Sequence, residues 1–388
     1  MISLLWEQHS LLVIIVLFFN LLTVLSNQRT LRKFHQFAPP ARWPRVSVLV
    51  PARDEAANIR PCLESLLNQD YPNYEVIMLD DHSGDQTWEI AQDVAARFPH
   101  LRLLKGKPLP GGWLGKHWAC HQLGEEASGE LLLFTDADTR HAPTTLRHSV
   151  AALLNEDADL VTAFPREEVK TWGEKLIVPI MAWGIMAFLP LRLAYRFALP
   201  GLSVSIGQFM LFRRQAYERI GGFAAVRAER VDDVALGRRI IRHGLRWRLM
   251  DGGDHVRCRM YRGFWEAVDG FSKNIFAFFN YHLALYLLGW GWVSLMFIEP
   301  ALSLGAYYLT GETLPHAPFP QAAIAVLLSL LIWYLAYQRF QFPLYLIWLY
   351  PLSMTLFVLI AMRSMVQTLT GRAEWKGRDL ARPVIRWL

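Results

Sequence analysis

Cysteine is nearly missing from this chain. Cys62, Cys120 and Cys258 stand far apart among 388 residues, with no Cys-x-x-Cys pair. That excludes a disulfide framework and a cysteine-bound zinc, and it suits a reducing compartment. Charged residues are scarce too, at 19% against 53% hydrophobic, and the apolar excess is gathered in blocks rather than spread through the chain. The net charge of +6 does not read as nucleic-acid binding, because Arg and Lys cluster beside those blocks, where anionic phospholipid headgroups are the fitting partner. Phosphate-cradling glycine loops are absent as well. The first strand runs into Pro51-Ala52-Arg53-Asp54-Glu55 where a dinucleotide fold needs Gly-x-Gly-x-x-Gly. The stretch from Gly111 to His117 is one residue short of an ATPase phosphate loop and has His after Lys116. No internal repeat or low-complexity tract is present.

The apolar blocks read as membrane segments. Residues 11–25 are apolar apart from Asn20 and Thr23, and Arg29, Arg32 and Lys33 follow. A cleavable signal peptide carries its charge before the apolar stretch. This order predicts an uncleaved anchor over 1–44, with a Pro-rich linker at its end and its C-terminal side cytoplasmic. Residues 283–309, 322–337 and 343–362 are the C-terminal candidates. The 310–321 connection has no Lys or Arg, whereas the 363–388 tail carries Arg363, Arg372, Lys376, Arg378, Arg382 and Arg386. A basic tail belongs in the cytoplasm, and three crossings would strand it outside. The expectation is therefore two spans plus a re-entrant or interfacial segment within 283–362, in a multi-pass protein of the inner membrane. Residues 176–199, apolar with two prolines and terminal arginines, read as a helix lying in the interface.

Between anchor and spans, 45–282 alternates short apolar runs with helical patterns, which predicts βαβ units and a parallel sheet. The organising stretch is Glu130-Leu131-Leu132-Leu133-Phe134-Thr135-Asp136-Ala137-Asp138. Its apolar run reads as a strand buried on both faces, delivering two carboxylates at its C-terminal end, where open α/β sheets bind ligands. Buried carboxylates need a partner, and two hard oxygens from one turn suit Mg²⁺ or Mn²⁺ completed by substrate phosphates. Asp80-Asp81 ends the second strand, with a turn and helix cap as the plain alternative. Asp232-Asp233 opens a helix, where two acids also favour the macrodipole.

Four motifs in this order, Pro51-Ala52-Arg53-Asp54-Glu55, Asp80-Asp81-x-Ser83-x-Asp85-x-Thr87, Asp136-Ala137-Asp138 and Asp232-Asp233, resemble family 2 of the inverting glycosyltransferases. The resemblance implies an α/β nucleotide-diphospho-sugar transferase domain of the GT-A fold and a UDP-sugar donor. Pro51, Arg53 and Glu55 would border the nucleotide, Asp81 the uracil, and Lys116 the donor. Asp136 and Asp138 would hold the metal and diphosphate. Asp233 would be the base, with Asp232 beside it. Gln208, Arg259, Arg262, Trp375 and Arg378 would lie on the acceptor side. Two departures stand out. Asp232 replaces the more usual Glu, and Arg259-Met260-Tyr261-Arg262-Gly263 has Gly where the family's motif has Trp, which argues against a processive polysaccharide synthase. The Gly-Trp-Leu-Gly-Lys-His-Trp-Ala loop and Gly270-Phe271-Ser272-Lys273-Asn274 are most similar to bacterial hydroxycarotenoid glucosyltransferases. Ceramide- and hopanoid-directed members share much of the pattern. The expected acceptor is thus a membrane lipid, with a carotenoid ahead of the others. A transporter would need charges along its spans, where Glu299 alone appears, and a dead scaffold would have lost one of Asp136, Asp138 or Asp233.

Overall fold

The structure, a computed structural model, describes residues 8–371, 374–375, 378–379 and 384–387. It divides into two compact units, one of Arg29–Glu168 and Leu191–Met260, the other of residues up to Gln28, Val169–Pro190 and Tyr261 onwards. This division adds 29–44 to the expected catalytic span of 45–282 and takes 169–190 and 261–282 out of it.

In the first unit, β1 (Val46–Ala52), β2 (Tyr74–Asp80), β3 (Leu101–Lys105) and β4 (Leu131–Phe134) are the four strands expected from the apolar runs. They pair in parallel in the order β3-β2-β1-β4. The second half adds β5 (Thr139–His141), β6 (Leu160–Phe164), β7 (Arg166–Glu167), β8 (Met210–Arg213), β9 (Trp247–Asp251) and β10 (Val256–Cys258). The main sheet runs β3-β2-β1-β4-β8-β6-β9 and is mixed rather than wholly parallel, because β8 enters antiparallel between β4 and β6. A small sheet, β5-β10-β7, stands beside it. The main sheet is buried on both faces, and on one of them Val48, Val50, Leu133, Val161 and Leu211 share a core with Leu63 and Leu66 of the Ile59–Leu67 helix and Val150 of the Thr145–Asn155 helix. At roughly 25 cal/mol per Å² of apolar surface removed from water, this burial dominates the unit's stability.

Entry into β4 is tight. Gly129 donates its N–H to the Ser47 hydroxyl at 2.7 Å, and a Cβ there would lie 2.5 Å from the Ser47 nitrogen. Ser47 and Ser128 in turn donate to the buried Glu75 carboxylate, both at 2.6 Å.

The second unit is helical. Four segments are long and apolar enough to cross a membrane: His9–Thr30, Leu283–Thr310, Phe319–Arg339 and Leu344–Thr370. The expected 283–309 span consists of two helices, Leu283–Phe297 and Glu299–Thr310, joined at Ile298 ahead of Pro300. The single helix expected over 176–199 is instead three, Trp172–Ile177, Pro179–Phe188 and Leu191–Phe197. Pro179 starts the second, and Pro190 follows its end, as proline's missing N–H dictates. Within this unit, Trp183 stacks on Trp333 at 4.7 Å and meets Phe297 edge-on. Asn27 donates to the carbonyls of Met186 and Leu189, closing exposed backbone groups at a helix end.

Of the tail, Trp375 and Arg378 pair backbone to backbone in a two-stranded ladder, and Lys376 and Gly377 lie outside the described residues. Further on, Arg386 bridges to His282, with Leu283 donating to the Arg386 carbonyl at 2.8 Å.

Replacing Gly129 by Ala should force β1 and β4 apart and strip a buried hydrogen bond, costing about 1–3 kcal/mol. A lowered Tm of the detergent-solubilised protein, with Asp136 and Asp233 untouched, is the expected reading.

Candidate active site

The loops after β1 and β2 are laced together. Asp54, held at a left-handed φ of 52°, donates its N–H to Ser83 Oγ and accepts from the Gly84 N–H at 2.7 Å. Glu55 donates its N–H to Thr87 Oγ1 at 2.7 Å, and Asp85 accepts from the N–H groups of Ala56 and Thr87 at 3.0 Å and from the Thr87 hydroxyl. Ser83, Asp85 and Thr87 therefore tie loop to loop. The helix after β2 begins at Thr87, with Gln86 at its cap, so Asp80 and Asp81 do not cap it. Asp81 is buried, its N–H donating to the Ala52 carbonyl at 2.8 Å. Arg53 reaches across to it, Nη1 lying 3.0 Å from the Asp81 carbonyl and 3.7 Å from its carboxylate. Pro51 stays in β1, partly buried.

Asp136 and Asp138 sit where the two sheets meet, in the four residues between the end of β4 and the start of β5. The turn is pinned from below: Thr139 donates its hydroxyl to the Asp136 carbonyl at 2.7 Å, and Thr135 donates to the Gln208 carbonyl at 2.7 Å. Gln208 itself is buried. Lys116 Nζ lies 2.6 Å from Asp136 Oδ1. Burial works against the lysine's charge, but Asp136 and Asp232 overcome it and hold Lys116 protonated well above its usual range. Asp138 has no such partner. Burial, then the charges of Asp136 and Glu55, push its carboxyl up to about 7, and its Oδ1 is buried with no hydrogen-bond partner among the described residues.

That orphaned acceptor is what a hard divalent cation would satisfy. No group of three His, Cys, Asp or Glu side chains among the described residues could enclose a metal, so the protein offers two carboxylates and leaves the remaining positions to water and substrate oxygens. This is the usual habit of Mg²⁺ and Mn²⁺, and the residues fit it.

Asp232 and Asp233 open the Asp232–Arg242 helix. Asp233 Oδ2 accepts the Gly207 N–H at 3.0 Å and Oδ1 the Val234 N–H at 2.7 Å. A Cβ on Gly207 would stand 3.4 Å from Asp233 Oδ2 and 3.5 Å from Lys116 Nζ, ordinary contact distances, so the backbone at this point lies against both the acid and the lysine. The two neighbouring acids differ in charge. For Asp232, burial is outweighed by His117 and Lys116, which hold it below the ordinary carboxylate value. For Asp233, burial and the Asp232 charge lift it to about 7, against Lys116 and the two backbone donors.

The structure thus gathers Lys116, Asp136, Asp138, Asp232 and Asp233 at one point, with the field of Glu55 reaching it, and ties Arg53 to Asp81 beside it. Arg259 remains in this unit, partly buried. Arg262 falls in the helical unit, where its N–H donates to Glu266 at 2.8 Å. Two residues escaped the sequence reading. His117 is buried against Asp232, and burial lowers its pKa. Glu167 ends β7 with a carboxyl raised well above normal by burial and by Asp138. Acids follow β6 at Glu167-Glu168 as they follow β1, β2 and β4, but nothing local marks Glu167 as the one that faces the site.

Residues 47–221 match the family described as glycosyl transferase family 2. The chain carries a family 2 glycosyltransferase domain. Among curated relatives, a beta-monoglucosyldiacylglycerol synthase of Trichormus variabilis is 31% identical over 187 residues, covering 46% of this chain and 38% of the relative. A 4,4'-diaponeurosporenoate glycosyltransferase of Staphylococcus haemolyticus is 25% identical over 262 residues, covering 65% of this chain and 66% of the relative. The chain thus spans well under half the length of the first relative. A mannosyltransferase of Pyrobaculum calidifontis, solved with GDP-mannose and Mn²⁺, superposes with a TM-score of 0.56 at 21% identity over 94% of this chain and 99% of that one. The family 2 domain therefore has the GT-A fold, with Asp136-Ala137-Asp138 and the β8 insertion both inside the matched region.

Because Asp233 is raised in the fold, its ionisation opposes folding above its ordinary pKa of 3.8. Stability from this group is whole at low pH and lost as pH rises through about 7. Asp233→Asn should therefore melt about 2–4 °C higher than the parent at pH 8, and the gain should vanish toward pH 4.

Proposed function

We propose that this protein is an inverting glycosyltransferase that moves a sugar, with glucose the first choice, from a UDP-sugar to a hydroxyl or carboxyl group of a membrane lipid. The observation that carries the reading is the setting of Asp233: a buried carboxylate whose oxygens accept the Gly207 and Val234 N–H groups, near the Lys116–Asp136 pair, with burial and the Asp232 charge lifting it to about 7. Inverting transfer needs one base to take the acceptor proton as its oxygen attacks the anomeric carbon in line, and a base titrating near the working pH does this best. The Gly207 and Val234 N–H groups fix the orientation of both Asp233 oxygens. Asp232, kept ionised by His117 and Lys116, holds Asp233 from losing its proton too readily and so keeps it basic.

On the donor side, Asp81 with Arg53 would hold the base and ribose end, bordered by Pro51 and Glu55. Lys116 would meet the diphosphate. Asp136 and Asp138 would hold Mg²⁺ or Mn²⁺, which when bound supplies neutralisation of the leaving diphosphate. The acceptor side falls to Gln208, Arg259, Arg262 and the tail residues Trp375 and Arg378.

A lipid acceptor is supported by the apolar helical unit and by relatives named for diacylglycerol and carotenoid products. A carotenoid is our first choice because that relative matches over more of this chain. A diacylglycerol-type acceptor is the second reading, favoured by the higher identity of the other.

The tail bears on topology. Arg386 and Trp387 pair with the backbone at 282–284, where the chain enters its C-terminal apolar segments. The second half of the Tyr350–Thr370 helix packs there too: Arg363 pairs with Asp269 at 2.7 Å, and Tyr286 donates to the Ala361 carbonyl. The entry and exit of the C-terminal region thus share one side, which supports an even number of crossings, a cytoplasmic tail and the 344–370 segment as the one that does not cross. All three native cysteines are buried, so a cysteine at exposed Val384 should react with an impermeant maleimide only from the cytoplasmic face; labelling from outside would mean three crossings.

The activity test uses membranes carrying the protein, Mn²⁺, labelled UDP-sugars and a lipid extract. Labelled lipid should appear in the organic phase, rise with pH to a plateau through about 7, and fall about 10²–10⁴-fold in Asp233→Asn. A labelled polymer or water-soluble product would instead point to a polysaccharide synthase, and the absorbance of a labelled lipid would separate carotenoid from diacylglycerol.

A further inference from the structure

The small sheet places three side chains in one row behind the Asp-x-Asp turn. Strand β10 pairs antiparallel with β5, setting Cys258 opposite Thr139, and in parallel with β7, setting Cys258 level with Glu167. Thr139 follows Asp138 directly, so Cys258 sits one strand across from the turn, where its thiol and the Asp138 carboxyl influence each other. Glu167 closes the row. Both of its carboxyl oxygens are shut off from solvent without a hydrogen-bond partner among the described residues, and the Met260 backbone amide eases its burial only in part. A buried carboxyl without partners costs stability. It persists here directly across the sheet from Cys258, beside the Asp-x-Asp turn.

Resting on the reading of Asp138 as a metal- and diphosphate-binding carboxylate, we propose that Cys258 and Glu167 are positioning residues: the thiol orients Asp138, and Glu167 backs the thiol from the next strand. Partners of metal-ligating carboxylates set ligand orientation, and their loss commonly weakens metal affinity 10–100-fold. On this reading the effect travels through Asp138. The row also explains why a sheet of two- and three-residue strands is built at this point: its register aligns the supporting side chains with the turn.

The test is Mn²⁺-dependent binding of UDP to the full-length protein in detergent, followed by titration calorimetry. Glu167→Ala and Cys258→Ala should each raise the Mn²⁺ concentration for half-maximal UDP binding by about tenfold. Metal-free UDP affinity and the metal-free Tm should not fall. Glu167→Gln, which keeps the shape, and Cys258→Ser, which keeps an O–H donor, should restore near-parental Mn²⁺ dependence. In an Asp138→Asn background, Glu167→Ala should have no further effect. An equal loss in both backgrounds, or Ala variants indistinguishable from the parent, would overturn the proposal. If Asp138→Asn itself leaves the Mn²⁺ dependence unchanged, the reading of Asp138 fails first, and this inference with it.

Discussion

The constraint on which the rest depends is the crowding of carboxylates around a single turn. Asp136, Asp138, Asp232, Asp233 and Glu167 all lie where burial disfavours their charge, and each feels at least one of the others. Like charges in low dielectric repel strongly, so the arrangement survives only because the surrounding fold is rigid and because Lys116 is inserted among them. Lys116 opposes the upward shift of Asp136, Asp138 and Asp233. It is positioned by the Gly115–Glu126 helix, whose preceding residue Leu114 is tied to the Arg227 carbonyl at 3.0 Å. Crowding of like charges in this way is expected where function is kept at the expense of stability.

Adjacent residues with the same side chain do different work here. Asp232 and Asp233 both sit in the first turn of one helix, where the macrodipole favours negative charge at each. What separates them is direction. Asp232 faces His117 and Lys116, whereas Asp233 turns to the Gly207 N–H and shares its oxygens with neutral backbone donors. Environment divides the pair into a fixed charge and a titratable one, as in other sites where two carboxyl groups must play acid and anion.

Much of this was legible beforehand, for physical reasons. Short apolar runs ending in acids, at Ala52, Asp80 and Phe134, announce buried parallel strands whose C-terminal ends carry chemistry, and β1, β2, β3 and β4 appear where those runs lie. The antiparallel β8 was not legible, because Met210-Leu211-Phe212 looks the same in either direction. The break at Pro190 was marked by proline, yet the apolar composition on both sides masked it. Glu167 was missed because β7 is two residues long, too short for any periodicity. Its place is fixed by pairing to Cys258, some ninety residues away in sequence, which no local pattern records.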